Sequence, residues 1–334
     1  MTRPVPEHPD TGGAVTRPVP DHSDTGRAVT QSFPDVDQQV FHQHRNLLFS
    51  VGYRILGSAA DAEDAVQDAW IKWSAADRSQ VAEPKAYLTR IVSNLALERL
   101  RSTRNKRETY VGPWLPEPIL TCGDTAETVV DAESVSMAVL VVLETLSPLE
   151  RAVFVLREVF GFSHAEIAEA VERSESAVRQ AAHRAREHVR ARRPRFTTDR
   201  SQQREATERF FAAATGGDVN ALMELLSPDV TLWTDGGGKV RQALRPVVGA
   251  ATVAAWFAAI GTVTYQGIEP ADMNAELVEI NGGPGMVFTG PERVIATVTF
   301  DFDSDGRITA IHNVANPDKL HAVTKGTAHD VGTR

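Results

Sequence analysis

One stretch restricts what this chain can fold into more than any other: Ser147–Arg193, SPLERAVFVLREVFGFSHAEIAEAVERSESAVRQAAHRAREHVRARR. Its spacing predicts three short helices separated by two tight turns. Ser147 caps the first, with Pro148 at the first helical position and Glu150 placed to bond back, and Gly161 ends it. Ser163 and Glu166 repeat the device for the second, whose apolar positions are Ala165, Ile167, Ala168 and Val171. Ser174 caps the third, with an inward stripe of Val178, Ala181 or Ala182, Ala185 and Val189. Its opposite face carries Ser176, Arg179, Gln180, His183 and Arg184. Two helices joined by a tight turn, the second apolar inside and basic outside, describe a helix-turn-helix that enters a DNA major groove. A helical bundle with a solvated basic face is the plainer alternative, since cations near a helix C-terminus also suit the macrodipole.

Charge placement sharpens the choice. The 334 residues sum to a net charge of −9, the wrong sign for coating nucleic acid indiscriminately. Two basic islands interrupt this acidic background. Arg99–Arg107 holds five cations and no acid, and Arg179–Arg193 holds six arginines against Glu187 alone. Islands of this kind suit docking at particular places on DNA, with acidic surface left for another partner. Cys122 is the only cysteine, which excludes an internal disulfide and a multi-thiolate zinc site within one chain. No apolar run reaches the roughly 20 residues of a membrane span, and the start (MTRPVPEHPD) lacks the apolar core of a signal peptide. A cytoplasmic protein is expected, with no membrane partner, no metal and no cofactor.

Six segments are expected along the chain. Residues 1–32 contain a tandem repeat, TRPVPEHPDTGGAV then TRPVPDHSDTGRAV, with little to bury, and read as a disordered tail. Residues 33–107 form a helical module with three amphipathic helices: one around Val40–Ile55 ended by Gly57, one opened at Asp61, and one started at Pro84. Residues 108–133, broken by Gly112, Pro113, Pro116, Pro118 and Gly123, form a linker. Residues 134–193 form the second helical module with the helix-turn-helix. Residues 194–325 open with two helices (about 201–215 and 218–226) and continue into β-type segments at Val230–Trp233 and Val263–Ile268. Three further strands are expected at about 275–281, 286–289 or 293–303, and 307–315, with a hairpin turn at Asp303–Gly306. This describes an α+β domain with a curved antiparallel sheet able to enclose a pocket. Residues 326–334 are a tail.

Together these residues resemble the extracytoplasmic-function sigma factors of the sigma-70 family, and more narrowly the branch with a SnoaL-like C-terminal domain. DAEDAVQDAWIKW (Asp61–Trp73) and EPKAYLTRIVSNLALERLRS (Glu83–Ser102) match region 2 of that family, and Ser147–Arg186 matches region 4. WLPEP (Trp114, Leu115, Pro116, Glu117, Pro118), DGGGK (Asp235, Gly236, Gly237, Gly238, Lys239) and NPDKL (Asn316, Pro317, Asp318, Lys319, Leu320) match three motifs of the branch. The resemblance implies two all-α modules followed by a cone-shaped α+β domain. It implies a factor that binds core RNA polymerase, on the clamp of the largest subunit and the flap of the second, and reads promoter DNA. Asp61, Glu63, Asp64, Gln67 and Asp68 then look like the polymerase-docking face. Trp73, Tyr87, Arg90 and Asn94 look like the surface that captures unpaired −10 bases, with Arg99, Arg101 and Arg104, and beyond them Lys106 and Arg107, on phosphates. Ser176, Arg179, Gln180 and His183 are expected at −35 base edges, with Arg184 and Arg186 on phosphates.

The C-terminal domain is expected to regulate by packing on the modules or the linker. Its candidate pocket groups are His312, Asp235, Lys239, Trp233, Trp256 and Asn316, around an unknown small molecule. DGGGK reads as a glycine-rich turn, since it lacks the spacer and the Ser/Thr of a phosphate loop. No catalytic residue is assigned. Two other readings stay open: a one-component repressor or activator sensing a metabolite, and a SnoaL-type cyclase or isomerase tethered to a DNA-binding module. The repressor needs no polymerase contact, so the Asp61–Trp73 segment argues against it.

Overall fold

The computed structural model describes residues 34–77, 79, 81–121, 136–192, 199–259 and 263–324. The repeat, the second half of the linker with Cys122, and the residues around Pro194 fall outside these. The first module is three helices: α1 (Pro34–Leu56), α2 (Ala59–Ala75) and α3 (Pro84–Glu108). Gly57, at φ 67°, makes the turn between the first two. Ser58 rather than Asp61 caps α2, taking the Asp61 N–H on its hydroxyl at 3.1 Å. Ala62, Ala65, Val66, Ala69 and Trp73 bury one face of that helix, as the spacing requires.

The second module comprises α4 (Met137–Glu144), α5 (Pro148–Phe154), α6 (His164–Ala170) and α7 (Glu175–Arg192). Both capping boxes form as read, Ser147 with Glu150 and Ser163 with Glu166. Between α5 and Gly161 the helix widens into a π-turn at Val155–Val159, which the periodicity did not reveal. The inward stripe of α7 is Val178, Ala181, Ala182, Ala185 and Val189. The two modules share one apolar core: Leu88, Val92 and Leu95 of α3 belong to the same buried cluster as Val153, Leu156 and Ile167 of the second module.

The third unit is an α+β domain. Helices α8 (Arg200–Gly216), α9 (Val219–Leu225) and α10 (Ala250–Ala258) pack on one face of a six-stranded sheet. Its strands are β1 (Leu226–Asp235), β2 (Val247–Val248), β3 (Asn274–Ile280), β4 (Gly283–Thr289), β5 (Val294–Phe302) and β6 (Ile308–Val314), in the order β2-β1-β6-β5-β4-β3. The sheet departs from the expected antiparallel one, because β1 and β6 run parallel. Both segments offered as alternatives, 286–289 and 293–303, are strands and pair with each other. Val263–Ile268 is not a strand: Gln266 (φ 53°) and Gly267 (φ 80°) fold it into a turn bridged by Tyr265 and Ile268. Helix α10 was not anticipated.

Alternation sorts the strand residues by face. Val230 and Leu232 of β1, Phe288 of β4, Val298 and Phe300 of β5, and Ile311 of β6 point to the helices. Val287, Val314 and Trp233 point the other way, into a second cluster completed by Leu115 from the linker and by Leu320 and Val323 after the sheet. Both faces of the sheet are therefore covered. The outer cover is the linker together with the segment that follows the sheet.

Candidate functional site: a clamp joining the modules, and the reading faces it holds

Leu115 N–H donates to the Asp235 carboxylate at 2.9 Å, and Tyr110 Oη donates to its other oxygen at 2.5 Å. Lys319 Nζ sits 2.7 Å from Asp235 Oδ2 and donates to the Leu115 carbonyl at 2.5 Å. Asn316 Nδ2 closes the ring on Tyr110 Oη at 2.7 Å. The first residue of DGGGK, the fourth of NPDKL and the second of WLPEP thus converge on one buried ion pair. Asp235 is fully buried and Lys319 is 6% exposed. A buried pair persists only when its remaining donors and acceptors are satisfied, which the linker backbone and Tyr110 accomplish here. Burial lowers the Lys319 pKa to about 8, against the pull of Asp235. Burial, reinforced by Asp235, holds the Tyr110 hydroxyl well above its ordinary range. Lys319 also lies 3.8 Å from the Trp114 ring centroid, and the Arg107 guanidinium covers the same ring at 4.0 Å.

The glycines of this region are dictated by close approach. Gly237, at φ 58°, donates its N–H to Asp235 Oδ1, and a Cβ there would collide with the Asn316 amide and lie 2.9 Å from Tyr110 Oη. A Cβ on Gly57 would lie 2.7 Å from a Glu144 carboxylate oxygen and 3.0 Å from the Trp114 ring. Lys239 and Asp318 pair across the surface at 2.7 Å, a second tie between DGGGK and NPDKL.

Glu117, also of WLPEP, reaches the first module. It accepts from Ser58 Oγ at 2.7 Å and from the Ala59 N–H at 2.8 Å, sitting on the N-terminus of α2. Its own N–H donates to the Gly57 carbonyl at 2.9 Å. Burial raises its pKa, and the bonds from Ser58, Ala60 and Ala59 oppose that rise. Two residues that sequence reasoning missed complete the tie. Tyr53 Oη donates to the Glu117 carbonyl at 2.6 Å, and Asn281 Nδ2 donates to Tyr53 Oη at 2.6 Å. The Ile119 N–H donates to Asn281 Oδ1 at 3.2 Å, and Asn281 takes φ 52° at the end of β3. Only an Asn-type side chain in a left-handed turn hints at this in sequence.

A second node joins the two helical modules. Glu144 of α4 receives Arg151 of α5 through both guanidinium nitrogens, at 2.5 and 2.8 Å, and also pairs with Arg107 of α3. Arg151 and Arg107 donate onward to the Ile55 and Leu56 carbonyls at the end of α1. Arg107, expected on a phosphate, is engaged here, and burial lowers its pKa.

The two faces expected to read DNA differ. On α7, Ser176, Arg179, Gln180, His183 and Arg184 are exposed. Arg179 pairs with Glu175 of its own helix. Arg184 pairs with Glu150 at 2.6 Å and Arg186 with Glu158 at 2.8 Å, so both also fasten α7 to the preceding helical segment. On the first module Trp73 is 2% exposed, donates its indole N–H to the Asp37 carbonyl, and packs 5.9 Å from Tyr87, so its ring belongs to the core. Tyr87, Arg90 and Asn94 are half-buried. Arg90 lies over the Tyr87 ring at 5.2 Å and pairs with Glu169 of α6 at 3.0 Å. Arg99 pairs with Asp68 and donates to the Asp61 carbonyl, and Arg101 is exposed. The side chain of Arg104 lies outside the described residues. On α2, Glu63 pairs with Arg45 at 2.6 Å, and Glu63, Asp64 and Gln67 are exposed. Ile71, 57% exposed, shares a helix face with Asp64, Gln67 and Asp68 at helical spacing, and the sequence reading passed over it.

Five of the six expected pocket groups lie away from the cavity of the domain. The domain encloses a cavity of about 470 Å³ on the inner face, and of the six candidates only Trp256 lines it. His312 is on the outer face, bonded to Asp301 at 3.0 Å. Asp235 and Asn316 belong to the clamp, and Lys239 to the surface pair. Among the described residues no metal-binding group of His, Cys, Asp and Glu occurs, and no helix is long and apolar enough to cross a membrane.

Two helical modules, the second with a helix-turn-helix, tied by a linker to an α+β cone, define a promoter-recognition protein of the sigma-70 type. Residues 40–106 match the Sigma-70 region 2 family and residues 136–189 match Sigma-70, region 4. The chain is 39% identical over 289 residues to the ECF RNA polymerase sigma factor SigJ of Mycobacterium tuberculosis, covering 84% of this chain and 92% of that protein. It is 33% identical over 190 residues to the probable ECF RNA polymerase sigma factor SigI of the same organism, covering 56% of this chain and 66% of that one. The crystal structure of Mycobacterium tuberculosis SigJ matches with a TM-score of 0.67 at 36% identity, over 86% of this chain and 98% of that chain. This chain belongs to the extracytoplasmic-function RNA polymerase sigma factors. As such it binds core RNA polymerase and directs promoter-specific initiation.

Proposed function

We propose that the clamp holds this sigma factor in a closed state and that its C-terminal domain regulates it by making or releasing that clamp. The observation that carries the reading is the packing of both modules into one apolar core, beside which Arg90 of α3 pairs with Glu169 of α6 at the surface. Elements centred near −10 and −35 lie about 25 base pairs apart, or ~85 Å of duplex at ~3.4 Å per pair. Modules in side-chain contact are too close to grip both. Opening must separate α3 from α6, and the linker, pinned by Asp235 and Lys319 at one end and Ser58 at the other, opposes it.

In the open state Ser176, Arg179, Gln180 and His183 read −35 base edges while Arg184 and Arg186 reach phosphates. Tyr87, Arg90 and Asn94 receive the unpaired −10 bases, with Trp73 supporting Tyr87 from beneath, and Arg99, Arg101 and Arg104 follow the backbone. Asp61, Glu63, Asp64, Gln67 and Asp68 dock on the clamp of the largest polymerase subunit, with Ile71 as the apolar anchor, and the second module sits on the flap of the second subunit. The protein works in the cytoplasm, where its polymerase and promoter are. The domain acts by binding rather than catalysis: the described residues lining its cavity include no carboxylate and no imidazole, and so no acid–base pair.

The test is promoter-specific initiation with core polymerase. Removing residues after 196, or deleting Asn316–Leu320 alone, is expected to change transcript yield at equal protein abundance. Unchanged yield from both variants contradicts the proposal.

A further inference from the structure

The cavity inside the cone is walled by Trp256, Tyr265 and Phe288 and by aliphatic side chains, yet two of its lining groups are polar and incompletely satisfied. Gln242 Oε1 and Asn313 Oδ1 are both buried without a hydrogen-bond partner in the protein. Gln242 spends its amide N–H on Tyr265 Oη, which leaves the carbonyl oxygen as an acceptor. Buried acceptors without a donor are costly, and a ligand hydroxyl in the cavity offers its one hydrogen to either of them. Arg241, exposed and in no ion pair among those described, stands among the lining residues as a cation available to an acidic group. A cavity of about 470 Å³ lies within the ~300–1,000 Å³ range of small-molecule sites.

Its position in the chain ties this cavity to the clamp. Gln242 follows DGGGK by three residues, and Asn313 precedes NPDKL by three. Gly236 is packed so closely on Gln242 that a Cβ there would lie 2.9 Å from the Gln242 side chain. Asn313 lies at the end of β6, and just beyond that strand the N–H groups of Ala315 and Asn316 both donate to the Asp235 carbonyl. We infer that this cavity is a binding site for a hydroxylated, fused-ring aromatic acid, and that its occupancy is transmitted to the clamp along these two segments. The second half of the inference rests on the closed-state reading, and the first half does not.

The experiment is isothermal titration of the full chain with 6-hydroxy-2-naphthoic acid, 2-naphthoic acid and 2-naphthol. Saturable one-to-one binding is expected, tightest for the hydroxy acid. At least one of Gln242→Leu and Asn313→Leu should weaken it tenfold or more, and Ala259→Trp, which fills the cavity, should abolish it. Arg241→Ala, a surface change that spares the core, should weaken the two acids and leave the naphthol unaltered. Absence of saturable binding by all three compounds below about 1 mM overturns the site, as does binding indifferent to Arg241→Ala and Ala259→Trp. Amide hydrogen exchange at residues 110–119, read with and without the bound hydroxy acid, tests transmission. A change there supports it, and unchanged exchange with the site occupied overturns it. Neither readout involves transcription, so failure here is separable from failure of the closed-state proposal.

Discussion

The two faces proposed to read DNA are in opposite states. The α7 face presents Ser176, Arg179, Gln180 and His183 to solvent, its helix braced from behind by Arg184–Glu150 and Arg186–Glu158. The α3 face carries Tyr87 and Arg90 half-buried, with Arg90 over the Tyr87 ring and paired with Glu169 of α6. Duplex readout needs only an exposed helix, whereas capture of unpaired bases needs open stacking surfaces. In the proposed closed state the duplex grip is ready, and the grip on melted DNA is withheld by the module that carries the other.

Lys319→Met offers the largest break in this asymmetry. It removes the amine that donates to the buried Asp235 carboxylate and Leu115 carbonyl, bonds that a deprotonated lysine keeps, and this should cost the closed state about 3–5 kcal/mol. Affinity for single-stranded −10 oligonucleotide, measured by fluorescence anisotropy, should rise more than tenfold while affinity for a −35 duplex stays the same. Gln180→Ala addresses the other face. It should lose about 1–3 kcal/mol of discrimination between matched and mismatched −35 duplexes and leave single-strand binding unaltered. Removing Glu117 by Glu117→Ala takes away the carboxylate that accepts from Ser58 and Ala59, a cap on α2 worth about 1–2 kcal/mol, and should appear as faster amide exchange in the first turn of α2. Glu169→Ala breaks an ion pair that is partly exposed on both sides, so it should shift the closed state by no more than about 1 kcal/mol.

The pH dependence sharpens the same comparison. Lys319 holds its proton up to about 8 in the closed chain and up to its ordinary 10.5 when solvated. Closing therefore releases a proton between these values, and raising the pH across that window favours the closed form. Single-strand affinity of the wild-type chain should fall over that range relative to Lys319→Met, which has no proton there to release.

Local structure was largely written in the sequence, and the clamp was not. Capping pairs such as Ser147–Glu150 and Ser163–Glu166 lie three residues apart, so their geometry follows from helix pitch alone. The inward stripe of α7 is legible for the same reason. The three motifs were visible as unusual clusters, but Asp235 meets Lys319 and Leu115 only because β6 returns parallel to β1 and the linker runs over the outer face. That same return misled the search for pocket residues. Alternation along β6 separates Asn313 from His312, but both faces of the sheet are buried, so the pattern cannot say which one encloses the cavity. Tyr53 and Asn281, 228 residues apart in the chain, had no signal to connect them.

Separation of α3 from α6 is, in the closed-state proposal, a requirement for initiation. It is tested by placing cysteines at Arg90 and Glu169 in a chain carrying Cys122→Ser, and joining them with a short, reducible bis-thiosulfonate. Run-off transcription by core polymerase is then measured with the same protein before and after reduction. The closed-state account predicts that the cross-linked chain binds core yet initiates at least tenfold less, and that cleaving the linker restores initiation. Equal transcript yield from the joined and the cleaved chain would contradict it.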